Sequence, residues 1–313
     1  MIFNKPKFWD KKINLISFVL LPLSCLYLLI NFFKKKFAKV YKFKIPIICL
    51  GNIYIGGTGK TPLSILLASE LSKSGKKVSI LRRYHKSHED EYNLIKNNFK
   101  NLIINNDRIL GIKEAERDNC DYIVLDDGLQ DYRIHKKVKI VCFNSKQLIG
   151  NGLVLPSGPL RERLSSLKNS DIIIINGNKN EKFEKIIYNI NKNLKIFYSS
   201  YQPKNIEIFK NKELVAIAGI GNPENFFELI EKNNLTVKKK IIFPDHYKFS
   251  RKEILTIVDD AFNKNYQIIM TEKDYYKIID YKINGIDYLK IDLIIENKEN
   301  FISLIKELCD ENN

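Results

Sequence analysis

The chain has 313 residues, of which 44% are hydrophobic and 28% charged, and this composition describes a globular rather than a disordered protein and is enough for one large core or two smaller ones. The formal net charge of +16 directs attention to nucleic acid, anionic membrane or phosphorylated substrates, with abundant solvated lysine as the plain alternative. Five cysteines without paired spacing fit reduced, buried thiols in a cytosolic compartment, and four histidines with no Cys/His cluster argue against a structural zinc site.

The first feature in chain order lies between Lys11-Lys12 and Lys34-Lys35-Lys36, where Ile13 to Phe33 are uncharged and mostly apolar. As a helix this stretch is about 30 Å long, enough to cross a bilayer. Pro22 and the polar Asn14, Ser17, Ser24 and Asn31 weigh against a span, and lysines on both flanks set no orientation. No small-residue cleavage site precedes the lysines, so a secretory signal is disfavoured. The favoured reading is a helix embedded in or lying on the cytoplasmic leaflet, each flanking lysine adding on the order of 1 kcal/mol on anionic lipid. A full span and a buried core helix are the alternatives.

The apolar run Ile45–Leu50 leads into Gly51-Asn-Ile-Tyr-Ile-Gly-Gly-Thr-Gly-Lys-Thr-Pro62, which reads as a nucleoside triphosphate loop. Gly56, Gly57, Thr58 and Gly59 let backbone N–H groups curl around phosphates, the Lys60 ammonium reaches the β and γ oxygens, and the Thr61 hydroxyl ligates Mg²⁺. A helix from Thr61 to Ser74 adds its positive end. Tyr54 stands where the strict pattern has its first glycine, and the denser glycines at 56, 57 and 59 compensate.

Strands are expected at Lys77–Leu81, Leu102–Asn105, Tyr122–Leu125, Lys139–Phe143 and Asp171–Ile175, with helices at Leu110–Asp118 and Glu181–Lys192. This alternation predicts a mostly parallel α/β sheet flanked by helices, with ligands beyond the carboxyl ends of the strands. Lys195–Asn211 reads as extended connecting chain. Strands near Leu214–Ala218, Lys239–Phe243, Gln267–Met270 and Tyr288–Ile291 then suggest a smaller second α/β domain. The expected division is 1–36 as membrane-associated helix, 37–205 as nucleotide-binding domain and 206–313 as the smaller domain.

Three constellations carry chemistry. Tyr122-Ile-Val-Leu-Asp126-Asp127 is an apolar strand ending in two carboxylates, the arrangement by which P-loop proteins hold Mg²⁺ opposite the phosphates. Asp90, in His88-Glu-Asp-Glu-Tyr92 after Arg82-Arg-Tyr84, is either part of a solvated charged loop or a carboxylate that accepts a hydroxyl proton while arginine stabilises the transferred group. His246, in Phe243-Pro-Asp-His-Tyr247, either tunes a distant carboxylate or contacts substrate, or marks a turn.

These motifs together resemble the tetraacyldisaccharide 4'-kinases of Gram-negative bacteria. The matches run in order: Gly51-Asn52 with Gly56-Gly-Thr-Gly-Lys-Thr-Pro62, Arg82 and Tyr84, Asp90-Glu91, Asp126-Asp-Gly-Leu-Gln130, Gly150-Asn-Gly-Leu, Pro156-Ser-Gly-Pro-Leu-Arg-Glu162, Ala218-Gly-Ile-Gly-Asn-Pro-Glu224, Phe243 to Tyr247 and Thr271-Glu-Lys-Asp274. The resemblance implies a P-loop NTPase-like enzyme that moves the γ-phosphate of ATP to the 4'-hydroxyl of a tetraacylated glucosamine disaccharide 1-phosphate, using Mg²⁺, at the cytoplasmic face of the inner membrane. It implies Asp90 as the base assisted by His246, Lys60 on the phosphates, Thr61, Asp126, Asp127 and Glu162 around the metal, and Arg82, Tyr84 and Gln130 toward the substrate. It also implies two domains that close during the reaction, an anionic membrane surface and a lipid substrate as partners, and neither nucleic acid nor an obligate protein partner. The chain departs from the family pattern at Asp131, where a histidine is usual, and at Arg83, Glu89 and Tyr92. A membrane-associated partitioning ATPase also uses Gly-Gly-Thr-Gly-Lys-Thr, but with a lysine where this chain has Ile55. A nucleotide-regulated binding protein without catalysis is the third reading.

Overall fold

The computed structural model describes residues 6–10 and 14–310. In chain order the elements are α1 (Leu15–Val19), α2 (Leu21–Lys36), β1 (Ile47–Gly51), α3 (Lys60–Lys73), β2 (Val78–Arg83), α4 (Glu89–Asn98), β3 (Leu102–Asn105), α5 (Arg108–Arg117), β4 (Tyr122–Asp126) and β5 (Val138–Asn144). They continue with β6 (Ile172–Asn176), α6 (Glu181–Ile190), β7 (Lys195–Pro203), β8 (Glu213–Ala218), α7 (Pro223–Lys232), β9 (Thr236–Ile242), α8 (Arg251–Asn263), β10 (Gln267–Thr271), α9 (Glu272–Ile278), β11 (Ile286–Leu289), β12 (Ile291–Ile295) and α10 (Lys298–Asp310).

Two compact units result. Among the described residues, the larger unit takes those up to 84, then 101–200 and those from 294 on; the smaller takes 85–100 and 201–293. A single cut near residue 205 is therefore not how the chain divides. Residues 85–100 belong with the smaller unit because α4 buries Tyr92 and Ile95 and packs on α9. Residues 294–310 return to the larger unit. Residues 14–36 also belong to the larger unit and do not stand apart as a domain of their own.

The larger unit is built on an eight-stranded sheet in the order β12-β7-β6-β5-β1-β4-β2-β3. β1 is parallel to both neighbours, pairing Leu50 with Asp126 on one side and Gly51 with Val141 on the other. Its five residues are all buried, as a central strand covered on both faces requires. One apolar cluster gathers Ile53, Val141, Phe143, Ile173, Ile175, Phe183 and Ile187, and another gathers Ile47, Cys49, Leu81, Ile112, Ile123 and Leu125. Because β1 lies between β4 and β5 while the chain proceeds from β1 through α3 to β2, the order reverses beside β1. Loops after β1 and β4 therefore open at the crevice where α/β sheets take their ligands.

β7 corrects the reading of Lys195–Asn211 as connecting chain. Its sequence Lys-Ile-Phe-Tyr-Ser-Ser-Tyr-Gln-Pro has an apolar run of only three residues, Ile196-Phe197-Tyr198, yet the strand pairs in parallel with β6 and buries Tyr198 and Ser199.

The smaller unit holds a four-stranded sheet, β11-β10-β8-β9, whose strand pairs are all parallel. Ala216, Phe227, Ile230 and Ile269 pack on one side, and Val215, Ile217, Ile254 and Met270 on the other. β9 is an edge strand bearing Lys238, Lys239 and Lys240, charges that discourage pairing with a further strand.

The amino-terminal run forms two helices that break at Leu20, because Pro22, the second residue of α2, has no N–H to continue the ladder. Among the described residues no helix is long and apolar enough to cross a membrane. The polar residues face inward: Ser17 and Ser24 are buried, Ser24 Oγ donating to the Val154 carbonyl at 2.8 Å and Asn151 Nδ2 donating to Ser17 Oγ at 3.2 Å. Leu23, Leu26, Leu29, Ile30, Phe32 and Phe33 are exposed. The segment is thus an inverted amphipathic unit, polar stripe to the protein and apolar stripe to the outside, rather than a buried core helix.

All five cysteines are free thiols. Cys49 and Cys142 are buried, and burial pushes each thiol up to about 12. Cys25, on the outer side of α2, is exposed, contrary to the expectation of uniformly buried thiols.

Candidate active site

The phosphate loop begins where β1 ends. Gly51 has no room for a side chain, since a Cβ there would collide with Leu129. Gly59 adopts φ +86° and caps α3, so the N–H groups of the first turn open toward the loop. Asn52 Nδ2 donates to the Gly56 carbonyl at 3.1 Å and holds the loop in its curl. The buried Thr58 Oγ1 has no hydrogen-bond partner, a polar atom that a phosphate oxygen would satisfy. Lys60 Nζ lies 3.6 Å from Asp127 Oδ1.

At the end of β4 the two carboxylates take different roles. Asp126 is buried, and its Oδ2 accepts from Thr61 Oγ1 at 3.2 Å and from Arg82 Nη1 at 2.7 Å. Arg82, expected toward the substrate, is itself buried and also donates to Thr61 Oγ1 at 3.0 Å. Its guanidinium supplies to this pair of hard oxygen donors the positive charge that a dication would otherwise bring. Asp127 stands in the left-handed region at φ +55°, its carbonyl accepting from Arg108 Nη2 at 2.7 Å and its carboxylate from Arg161 Nη1 at 3.1 Å. Burial alone would raise the Asp127 carboxyl; Lys60, Arg161, Arg82 and Arg108 instead hold it well below the usual carboxylate range. Asp131 lies under this network, accepting from Arg133 Nε at 3.0 Å and pairing with Arg108 Nη1 at 3.5 Å.

Glu162 and Gln130 are brought together, Gln130 Nε2 donating to Glu162 Oε1 at 2.9 Å and to the Asn52 carbonyl at 3.1 Å. Gln130 thereby braces the phosphate loop, and Glu162 joins that brace, whereas Thr61 and Asp126 are joined by Arg82. Tyr84 follows β2 and is 45% exposed.

The smaller unit assembles the second constellation. Asp90 lies in the first turn of α4, which the acidic run His88-Glu-Asp-Glu disguises as a charged loop; acids are favourable at that end of a helix. Its Oδ1 accepts from the Glu91 N–H at 2.9 Å, and its Oδ2 lies 3.2 Å from His246 Nδ1. His246 is set by a left-handed φ of +57° and an N–H bond to Asp245 Oδ1 at 3.0 Å. Lys273 Nζ lies 3.5 Å and Lys277 Nζ 3.6 Å from Asp90 Oδ2. Burial pushes the Asp90 carboxyl up, but the His246 hydrogen bond and the Lys273 charge outweigh it and hold the group below its ordinary value. Lys273 is in turn held protonated by Glu91, Asp245 and Asp90 against its own desolvation.

Arg161, Arg108, Lys273 and Lys277 were not singled out by sequence reasoning. Arg161 and Lys273 do lie inside the matched segments Pro156–Glu162 and Thr271–Asp274, which is the signal that could have found them. The histidines also differ from expectation: His85, His88 and His246 come together, with ring centroids 4.7 Å apart for the first pair and 4.6 Å for the second.

The family model for tetraacyldisaccharide-1-P 4'-kinase matches residues 16–310 of this chain. The chain belongs to the tetraacyldisaccharide 4'-kinase family. It is 39% identical over the whole of both chains to the tetraacyldisaccharide 4'-kinase of Pelagibacter ubique, and 32% identical to that of Ruthia magnifica over 89% of this chain and 93% of the relative. Its structure is similar to the crystal structure of the "apo" form of LpxK from Aquifex aeolicus in complex with ATP, with a TM-score of 0.71, 25% identity, and coverage of 94% of this chain and 99% of that one. The activity follows with the family: ATP-dependent phosphorylation of a tetraacylated glucosamine disaccharide 1-phosphate at its 4'-hydroxyl, in lipid A biosynthesis. A partitioning ATPase and a non-catalytic nucleotide sensor are thereby set aside.

Proposed function

We propose that Asp90 is the group that takes the proton of the 4'-hydroxyl in this reaction, with His246 as the residue that positions it. The observation that carries this reading is the buried Asp90 carboxylate, 3.2 Å from His246 Nδ1 and flanked by two lysines. Phosphoryl transfer through a loose transition state asks little of its base until the new P–O bond forms, so a carboxylate kept ionised below its ordinary pKa serves as a late proton acceptor. The hydroxyl oxygen bonds to the γ-phosphorus, the bond to the ADP oxygen breaks, and the proton passes to Asp90.

On the nucleotide, Lys60 neutralises the β and γ phosphates and Arg161 holds the Asp127 carboxylate beside it. Mg²⁺ fits the oxygen donors of Thr61, Asp126 and Asp127, and when bound it would offset charge on the β and γ phosphates. Glu162, hydrogen-bonded to Gln130, completes the carboxylates at this corner.

The exposed apolar stripe of α1 and α2, ending in Lys34, Lys35 and Lys36, suits a helix lying on an anionic membrane surface, where an acylated substrate resides. This favours the cytoplasmic face of the inner membrane as the working location.

The test is transfer of label from γ-labelled ATP to tetraacyldisaccharide 1-phosphate in detergent. Asp90→Asn is expected to lower kcat while leaving the KM for ATP unchanged; a variant that loses only ATP affinity would make Asp90 a nucleotide ligand instead.

A further inference from the structure

We propose that His88, Glu91 and His246 form a binding site for a borderline transition-metal dication, of the zinc, cobalt or nickel class, and that its occupancy slows the kinase. Candidate ligand atoms of the three residues all lie within 4.8 Å of one another. Two come from one helical turn: His88 caps α4 and Glu91 lies one turn on, with His88 Nδ1 3.5 Å from Glu91 Oε2. The third, His246, stacks on His88 with the rings 4.6 Å apart and 12° from parallel, so the partly exposed His88 ring must turn out of the stack for lone pairs of both imidazoles to meet at one ion.

The donor set selects the ion. Two imidazoles and one carboxylate match three-residue zinc sites that keep a fourth position for water, whereas Mg²⁺ and Ca²⁺ take oxygen ligands. Ligand atoms about 2.1 Å from a tetrahedral ion stand roughly 3.4 Å apart, so closure on the ion asks the three side chains to draw in by on the order of 1 Å. They are partly exposed, with side-chain exposures of 29% and 17% for His88 and Glu91 and 24% for His246, and so have room to do so.

The surrounding charge favours a cation. Asp90, Asp245 and Asp274 join Glu91 against the ammonium groups of Lys273 and Lys277. Lys273 lies 3.3 Å from Glu91 Oε1, the oxygen other than the one facing His88.

The consequence for turnover rests on the reading of Asp90 and His246 given above. With His246 Nδ1 beside Asp90, Nε2, which faces Asp245 Oδ2 at 3.9 Å, is the nitrogen the ion would take. Asp90 would then orient a metal-bound imidazole, as carboxylates do beside many metal sites, and be less available to a hydroxyl proton.

The full-length protein, free of nucleotide, is titrated with Co²⁺ and its visible absorption followed. One equivalent is expected to saturate a ligand-field band that Zn²⁺ abolishes and millimolar Mg²⁺ does not. His88→Ala is expected to weaken binding at least tenfold, and Glu91→Gln to weaken it as well, with the far-ultraviolet circular dichroism of the metal-free variants showing that both remain folded. In label-transfer assays at fixed MgATP, stoichiometric Zn²⁺ is expected to slow the parent at least tenfold and His88→Ala less than twofold, each relative to its own metal-free rate. Absence of the band, or a band indifferent to both substitutions, overturns the site. A band that His88→Ala removes, with turnover undiminished by the ion, leaves the site standing and overturns the role given to His246.

Discussion

His246 Nδ1 and Asp90 Oδ2 lie 3.2 Å apart although the residues are separated by 156 positions in sequence. The pairing joins the first turn of α4 to the loop after β9, and the left-handed backbone at His246 aims the ring. Because the His246 hydrogen bond is the largest influence lowering the Asp90 carboxyl, His246→Ala is expected to raise it. A group depressed in the folded state contributes stability that is present above its unfolded value, about 3.9, and lost as pH falls through the folded value. Asp90 in the parent therefore remains ionised through the neutral and mildly acidic range. In a kcat/KM profile, the limb belonging to Asp90 should lie below the ordinary carboxylate range in the parent and move to higher pH in His246→Ala. An acid limb that does not move would separate the two residues functionally.

Lys60 and Arg161 both touch Asp127, but only Lys60 belongs to the phosphate loop. Lys60→Ala should cost about 3–4 kcal/mol of transition-state stabilisation, a fall of roughly two to three orders of magnitude in turnover. Arg161→Ala should cost less, on the order of tenfold, because Lys60 still holds Asp127. Steady-state label transfer reads both, and near-normal turnover in Lys60→Ala would contradict the phosphate-loop assignment.

Arg82 and Asp126 form a buried ion pair at 2.7 Å, with the Asp126 side chain fully enclosed. Removing one partner of such a pair strands the other charge and typically costs about 3–5 kcal/mol. Arg82→Ala should therefore lower Tm sharply, and MgATP should restore more of the loss than ATP without metal, because the vacated oxygen donors then accept the dication. Equal protection by both would argue against Asp126 as a metal ligand.

On α2, Leu26 and Phe33 are about half exposed, at 52% and 46%. Burying a leucine or phenylalanine side chain in an apolar phase is worth about 1.5–3 kcal/mol. Leu26→Glu with Phe33→Glu should reduce co-sedimentation with anionic vesicles at least tenfold while ATP binding stays intact. Unchanged partition would sink the membrane-surface role of the helix.

How much of this was legible in the sequence depended on contiguity. Gly56 to Thr61 and Tyr122 to Asp127 carry their meaning in adjacent residues, and the strands around them fall within a residue or two of expectation because buried parallel strands read as apolar runs. β7 was hidden because its apolar stretch, Ile196-Phe197-Tyr198, is short and runs into the polar Ser199, Ser200 and Gln202. α4 was hidden because an acidic first turn looks like a solvated loop until Tyr92 and Ile95 are seen to be buried. The apolar amino-terminal run concealed its orientation, since nearly every face is hydrophobic; the spacing of Ser17 and Ser24 by two helical turns was the signal for the inward stripe. Arg82 could be placed near the loop from sequence, but its partner could not, because which cation Asp126 holds is decided by the register of β2 beside β4.

Asp90 and His246, on this mechanism, act as one unit in proton removal. The direct measurement is a double-mutant cycle in single-turnover phosphoryl transfer, comparing the parent, Asp90→Asn, His246→Ala and the double variant at saturating MgATP and lipid. General-base loss should slow Asp90→Asn by about 10²–10⁴. The double variant should be no slower than Asp90→Asn alone, because His246 has nothing left to position. Losses that multiply would contradict the account and give His246 an independent role in the reaction.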